Sequence, residues 1–443
     1  MGRKRLRTEL FAYMNGEKVG TLTRTANGRL EFSYDKSWLE SSSGRPLSLS
    51  MPLAEQVYAD DRVENYFDNL LPDSQPIRNR IQRRFGTASN NGFDLLWHVG
   101  RDCVGALQLM PEDQQVDVQQ IEAEPLKDAD IAAILKNYRT MPLGMHEDKN
   151  FRISVAGAQE KTALLKIDNQ WHLPLSSTPT SHIFKLPIGH IEHSGMDLSD
   201  SVENEWLCHA ILKAFGLPVA KAEMHTFEET KALVVERFDR RWAKDRSWLI
   251  RLPQEDMCQA LNVPPVLKYE SDGGPGFSPI MELLLGSTDS LSDRRLFMTA
   301  NLVFWLLCAI DGHAKNFSIY LLPGGDFKLT PLYDVISAFP LVAKKQLEQR
   351  RLRMAMALMG KNRHDEWHMM LYRHWLSTAK ACRFPTGEME KIITETLGRL
   401  DQVVAEVSSQ LPGSFPDAVA GPIFDGMKTA RDKLIRTDPL KEG

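Results

Sequence analysis

Cysteine is scarce in this chain and scattered. The five are Cys103, Cys208, Cys258, Cys308 and Cys382, and no two stand close enough for a Cys-x-x-Cys metal or redox pair. An odd number of isolated thiols suits a reducing cytosol better than a disulfide framework. Long apolar runs are missing too. The strongest, Leu302-Val303-Phe304-Trp305-Leu306-Leu307-Cys308-Ala309-Ile310, falls far short of the ~20 residues that span a bilayer and reads as a buried helix. The basic stretch Arg3-Lys4-Arg5-Leu6-Arg7 leads into no apolar signal segment, and Gly2 lacks the Ser/Thr that myristoylation favours four residues on. Nor is there an excess of positive charge. The formal net charge is -4, so nucleic acid or an anionic membrane would have to be met by a local patch. These absences leave a cytoplasmic globular protein. Its 443 residues exceed the ~250–300 at which single cores stop growing, so two or three domains are expected.

What is present falls into two halves. Leu10–Met14 and Val19–Leu22 flank Asn15-Gly16, the signature of a two-residue hairpin. Asn27-Gly28 precedes Leu30–Tyr34, which alternates at strand period, and helical stretches follow around Val63–Leu71 and Ile77–Phe85. Met110–Glu124 is acidic and Gln-rich, as a surface linker would be. The second half opens with strands at Thr162–Ile167, His182–Leu186 and Lys231–Phe238, with a helix over Ser201–Phe215 between the last two. From about Ser278 the helical period dominates. The expected fold class is α+β, two-lobed and kinase-like. An N-terminal α/β subdomain covers 1–110 and a connecting segment 111–149. A nucleotide-binding lobe covers 150–250, and an all-α C-terminal lobe with the catalytic loop and metal site covers 251–443.

Five elements carry chemistry. Asp311-Gly312-His313-Ala314-Lys315-Asn316 leaves the buried run, and Asp followed five positions later by Asn supplies a base and a Mg²⁺ ligand, as in kinase catalytic loops. Alone, the pattern also fits a turn with an Asx cap. Asp334 lies 23 residues after Asp311, beyond a hairpin signalled by Gly324-Gly325-Asp326, where kinases carry their metal-binding Asp. Val335-Ile336 follows it instead of Phe-Gly, and a helix N-cap is the plainer alternative. Lys185 sits in a short apolar strand, which is costly unless it is paired or solvated. Glu203 and Glu205 are both candidate partners, and a snorkelling edge lysine is the alternative. Ser154–Lys161 is a loop of small residues that would let backbone N–H groups approach phosphates, although it is neither Gly-x-Gly-x-x-Gly nor Walker A. Val234–Arg241 is an apolar strand ending in a polar hinge. There Glu236 and Phe238 would meet adenine through main-chain atoms and Asp239 would reach the ribose. Each signal is modest, but the order of phosphate loop, lysine strand, helix, hinge, catalytic loop and metal Asp is that of a kinase.

These residues resemble the HipA family of serine/threonine-kinase toxins. The similarity rests on Ser154–Lys161 (SVAGAQEK), Val235–Trp242 (VERFDRRW), Arg251–Gln259 (RLPQEDMCQ), Lys268–Gly276 (KYESDGGPG), Asp311–Phe317 (DGHAKNF) and Leu329–Asp334 (LTPLYD). Arg45–Leu53 and Phe67–Asp73 fit as well. The resemblance implies an ATP- and Mg²⁺-dependent protein kinase with Asp311 as general base and Asn316 and Asp334 on the metal. Ala156, Gly157, Ala158, Gln159, Glu160, Lys161 and Lys185 would hold phosphates. Glu236, Arg237, Phe238, Asp239 and Tyr333 would serve the nucleoside end, and His313, Ala314 and Lys315 would line the site. Ser154 would be autophosphorylated, which expels the phosphate loop; a group of about -1.5 to -2 charge sits badly where ATP's phosphates bind. The implied partners are a HipB-like helix-turn-helix antitoxin dimer, operator DNA reached through that complex with Lys380 and Arg383 near the backbone, and a substrate such as glutamyl-tRNA synthetase. Leu341–Arg363 matches no motif; it reads as a solvated basic helix, with a patch near DNA as the alternative. A small-molecule phosphotransferase and a non-catalytic corepressor are the competing functions.

Overall fold

The structure is a computed structural model that describes residues 8–114, 117–137, 159, 161–191 and 195–438. The N-terminal unit is an antiparallel sheet of β1 (Glu9–Met14), β2 (Glu17–Arg24), β3 (Leu30–Tyr34), β4 (Val57–Tyr58) and β5 (Leu107–Met110), in the order β4-β3-β2-β1-β5. Asn15 and Gly16 both take positive φ, 49° and 87°, as the tight β1–β2 turn requires. Helices Asp61–Asp68, Gln75–Phe85 and Gly92–Val99 share a core with the sheet, through Leu22, Phe32, Phe67 and Leu96. The first and last start on side-chain caps from Asp60 and Asn91.

The second sheet holds β6 (Ala123–Pro125), β7 (Lys161–Ile167), β8 (Gln170–Pro174), β9 (His182–Lys185), β12 (Ala222–Phe227) and β13 (Thr230–Glu236), in the order β12-β13-β9-β7-β8-β6. A separate small hairpin pairs β10 (Gly189–Ile191) with β11 (Met196–Leu198). Part of the stretch after the first unit is thus an edge strand, and the next helix, Asp128–Lys136, buries Ile131 and Leu135 in this sheet's core. The helix Ser201–Ala214 packs on β12 and β13 and is buried along most of its length, which its position between sheet and helical lobe explains.

The C-terminal lobe centres on helices Ser290–Leu306, Thr386–Ser409 and Asp417–Arg436, which share one large core. It is not all-α, a correction to the sequence reading. After the ribbon of β14 (Arg240–Trp242) and β15 (Leu249–Arg251), a sheet of β16 (Gln254–Asp256), β17 (Ser318–Leu321) and β18 (Phe327–Leu329) spaces the catalytic loop from the metal loop. A further hairpin pairs β19 (Arg353–Met359) with β20 (Arg363–Glu366). Leu341–Arg363 is therefore not a basic helix but the end of a five-residue helix, a 3-10 turn and β19. Most of these strands are too short for alternation to stand out beside helical neighbours. Among the described residues no helix is long and apolar enough to cross a membrane.

Candidate active site

The helix Ser290–Leu306 ends because Cys308 takes a left-handed backbone, φ 50°, and Ala309 N–H turns back to Phe304 O at 2.8 Å. Its last carbonyls are then captured: Ser337 Oγ donates to Leu307 O at 2.6 Å, and Ala338 N–H to Cys308 O at 3.0 Å. Ala355 N–H fixes Ile310 O at 3.0 Å. Asp311 therefore leaves a rigid base. Gly312 follows because a Cβ there would lie 2.7 Å from the Phe304 ring. The loop is pinned at its far end by Phe317, packed edge-on against Phe297 with ring centroids 4.9 Å apart. Asp311 is open to the cleft, but the surrounding walls desolvate it enough to raise its carboxyl; a hydrogen bond from the Tyr269 hydroxyl opposes that rise.

Asp334 stands across the cleft at φ 61°, a strained conformation for a residue with a side chain. Leu332 holds it there by exchanging backbone bonds with Pro218 and Ala220, at 2.9 and 2.8 Å. Lys185 Nζ lies 2.6 Å from Asp334 Oδ1 and 2.6 Å from Glu205 Oε1. This selects Glu205; Glu203 pairs instead with Lys231. Burial works against the Lys185 charge, but the two carboxylates outweigh it and raise the ammonium. Asp334 in turn is held far below the usual carboxylate range by Lys185 and Lys161, despite burial. Lys161 faces Lys185 across β7 and β9, and burial lowers it to about 8 although Asp334 opposes that. Asn316 Nδ2 donates to Asp334 O at 3.2 Å, while Asn316 Oδ1 is buried with no partner. That orphan oxygen and the Asp334 carboxylate line the same cleft, and oxygen donors of this kind suit a hard divalent cation.

Gln159, Lys161, Lys185, Glu236–Asp239, His313, Lys315, Asn316, Tyr333 and Asp334 all line one cleft of about 410 Å³ with Asp311. Its apolar end is formed by Phe238 and Tyr333, centroids 5.5 Å apart. The Tyr333 hydroxyl fixes the catalytic loop by donating to Lys315 O at 2.7 Å. Ala314 is buried at the loop's core, its N–H 3.3 Å from Lys268 O.

Comparison with known proteins identifies the family and the fold. The HipA-like C-terminal domain matches residues 153–404 and the HipA N-terminal domain residues 10–110. The chain belongs to the HipA family. Y4mE of Sinorhizobium fredii, named provisionally as a kinase, is 33% identical over 96% of this chain and 98% of its own length. The serine/threonine-protein kinase toxin HipA of Shewanella oneidensis is 26% identical over 86% of this chain and 84% of its own. The fold matches a solved structure of HipA with HipB and operator DNA from Shewanella oneidensis at TM-score 0.82 and 22% identity, covering 98% of this chain and 99% of that one.

This HipA-family kinase also shows what the sequence did not bring together. Asp239 does not present a free carboxylate to the cleft: Arg237 and the Gly105 N–H hold it, at 2.7 Å each. The Arg237 guanidinium faces the same way, into a buried cluster with Asp102. The Lys315 ammonium turns to Asn69 rather than to a phosphate position, 2.7 Å from Oδ1. Ser154, Ala156, Gly157, Ala158 and Glu160 lie outside the described residues. Lys380 and Arg383 are exposed and do not line the cleft. Among the residues the sequence left unassigned are Asn69 and Asp73, which line the cleft from the N-terminal domain, and Tyr269, whose hydroxyl donates to Asp311. Their only signal was membership of the KYESDGGPG and Phe67–Asp73 motifs.

Proposed function

We propose that this HipA-family chain transfers the γ-phosphoryl group of ATP to serine or threonine hydroxyls of proteins, its own Ser154 among them. The observation that carries the reading is the unpartnered Asn316 Oδ1 beside Asp334, with Lys185 clasped between Asp334 and Glu205. Asn316 and Asp334 would hold Mg²⁺, which when bound neutralises charge on the phosphates. Lys185 and Lys161 orient the phosphates from the opposite wall. The apolar end at Phe238 and Tyr333 takes the adenine, and the Phe238 N–H is its hinge donor, since the Phe238 carbonyl is engaged by the Tyr320 hydroxyl at 3.0 Å. Asp311 receives the acceptor hydroxyl and takes its proton as the oxygen attacks phosphorus. ADP leaves along the opposite line.

The fold shared with the Shewanella complex supports a HipB-like antitoxin dimer as partner, with operator DNA reached through it. Exposed Lys380 and Arg383 are the proposed backbone contacts, which position rather than specify. Glutamyl-tRNA synthetase is the proposed external substrate, and growth arrest in the cytoplasm the proposed consequence. Labelled ATP tests the reaction. Label on Ser154 that Asp311→Ala abolishes, with the nucleotide-induced thermal shift kept, supports it. Turnover of a small alcohol with no label on protein would sink it.

A further inference from the structure

The catalytic loop is not held by the kinase lobes alone. Lys315, between Asp311 and Asn316, buries its ammonium against the N-terminal domain. Its Nζ lies 2.7 Å from Asn69 Oδ1 and 3.1 Å from Asn69 O, with Asp256 Oδ2 at 3.3 Å and Asp73 Oδ1 at 3.6 Å. Asp73 Oδ2 meets Lys268 Nζ at 2.9 Å. Lys268 accepts the Ala314 N–H on its carbonyl, and its neighbour Tyr269 donates to Asp311. One carboxylate of the N-terminal domain thus touches both segments that bracket the base. Two lysines and two aspartates balance here, so removing the Asp73 charge leaves a buried ammonium short of a counter-ion.

We infer that Asp73 is a positioning residue for phosphoryl transfer, and that the N-terminal domain is thereby part of the catalytic centre. The inference rests on the kinase reading above. Asp73 does not touch the reacting atoms; it acts through Lys315 and Lys268, which set where Asp311 and Asn316 stand. A misplacement of about 1 Å at such a site costs about 10²-fold in rate.

The test uses the full chain, with the first-order rate constant of Ser154 phosphorylation as readout, kcat denoting its value at saturating ATP and KM the ATP concentration that gives half of it. Wild type is measured first; a wild type that transfers no phosphate would refute the kinase reading itself. With transfer established, Asp73→Asn is expected to lower kcat about 10- to 100-fold while the KM for ATP stays within about twofold. Because Asp73 works in part through Lys315, Asp73→Asn combined with Lys315→Met should lose less than the product of the two single losses. If Asp73→Asn does not fold, Lys268→Met removes one arm of the clasp and should lower kcat several-fold at unchanged KM. Wild-type kcat in the tested variant, a kcat loss matched by an equal loss of nucleotide affinity, or losses that multiply in the double variant would each overturn the proposal.

Discussion

Lys161 shows how a single residue reports on ligand charge. Burial lowers its ammonium to about 8, and neighbouring Lys185 adds to that while Asp334 opposes it. In the free protein it therefore loses its charge as pH rises through about 8. Bound phosphates would favour the charged form, so nucleotide binding above that pH should take up a proton. Affinity is expected to be level below pH 8 and to weaken above it, by at most about tenfold per unit. Titration calorimetry between pH 7 and 9.5, in buffers of different ionisation enthalpy, measures both effects. Lys161→Met should weaken binding below pH 8 and flatten the profile; an unchanged slope in that variant would remove Lys161 from the phosphate site. At this scale the sequence was legible wherever spacing along the chain encodes geometry. Asp311 and Asn316 share one loop, and Asp334 follows by one hairpin. Tyr269 was not legible, because its contact with Asp311 spans 42 residues and no local pattern marks it. Asp239 was misleading for a related reason. Its partners Gly105 and Arg237 turn a polar hinge residue inward, and Gly105 is 134 residues away.

Elements place these residues, and the helix Ser201–Ala214 does so through Glu205. Burial raises the Glu205 carboxyl even with Lys185 beside it. Lys185→Met would remove its cation and leave a buried carboxylate uncompensated, at a cost of about 3–5 kcal/mol in stability. Urea denaturation should show that loss, and adding Glu205→Gln should restore most of it by removing the charge. Neither variant should regain phosphoryl transfer, because both lack the Lys185 ammonium. Failure of Glu205→Gln to restore stability would mean that packing, not charge, dominates the site. Sequence periodicity found this helix, and unbroken apolarity found the buried run Leu302–Ile310. Periodicity missed β16, three residues long, whose role is to set loop spacing rather than to bury a face, while the β17–β18 hairpin showed through its Gly324-Gly325-Asp326 turn.

Across the whole molecule, buried charge joins the N-terminal domain to the rest. Asp102 accepts from Arg237, Arg240 and Arg251, at 3.2, 2.8 and 3.2 Å, and all four side chains are buried. Asp102→Ala would leave Arg251 without a carboxylate and Arg237 and Arg240 sharing Asp239 alone, and is expected to destabilise the protein by about 3–5 kcal/mol, measured by urea denaturation. Glu255 makes a second joint of a different kind. It is fully buried on β16, and its Oε1 accepts the Leu49 N–H at 2.8 Å from the N-terminal domain. Burial raises its carboxyl from 4.5 to about 8, a rise that the Leu49 and Ser48 hydrogen bonds oppose and Asp256 reinforces. The folded state therefore keeps a proton that the unfolded chain has already released between those values. Stability falls as pH rises from about 4.5 to about 8, and levels off above, where both states are ionised. Glu255→Gln keeps the shape and removes the titration. Its urea midpoint should match wild type near pH 4.5 and exceed it progressively up to pH 8, by up to a few kcal/mol in stability, and the gap should then stay constant. A gap that does not change with pH would show that Glu255 is ionised in the folded protein throughout, and that the joint to Leu49 is made by a charge rather than by a neutral acid.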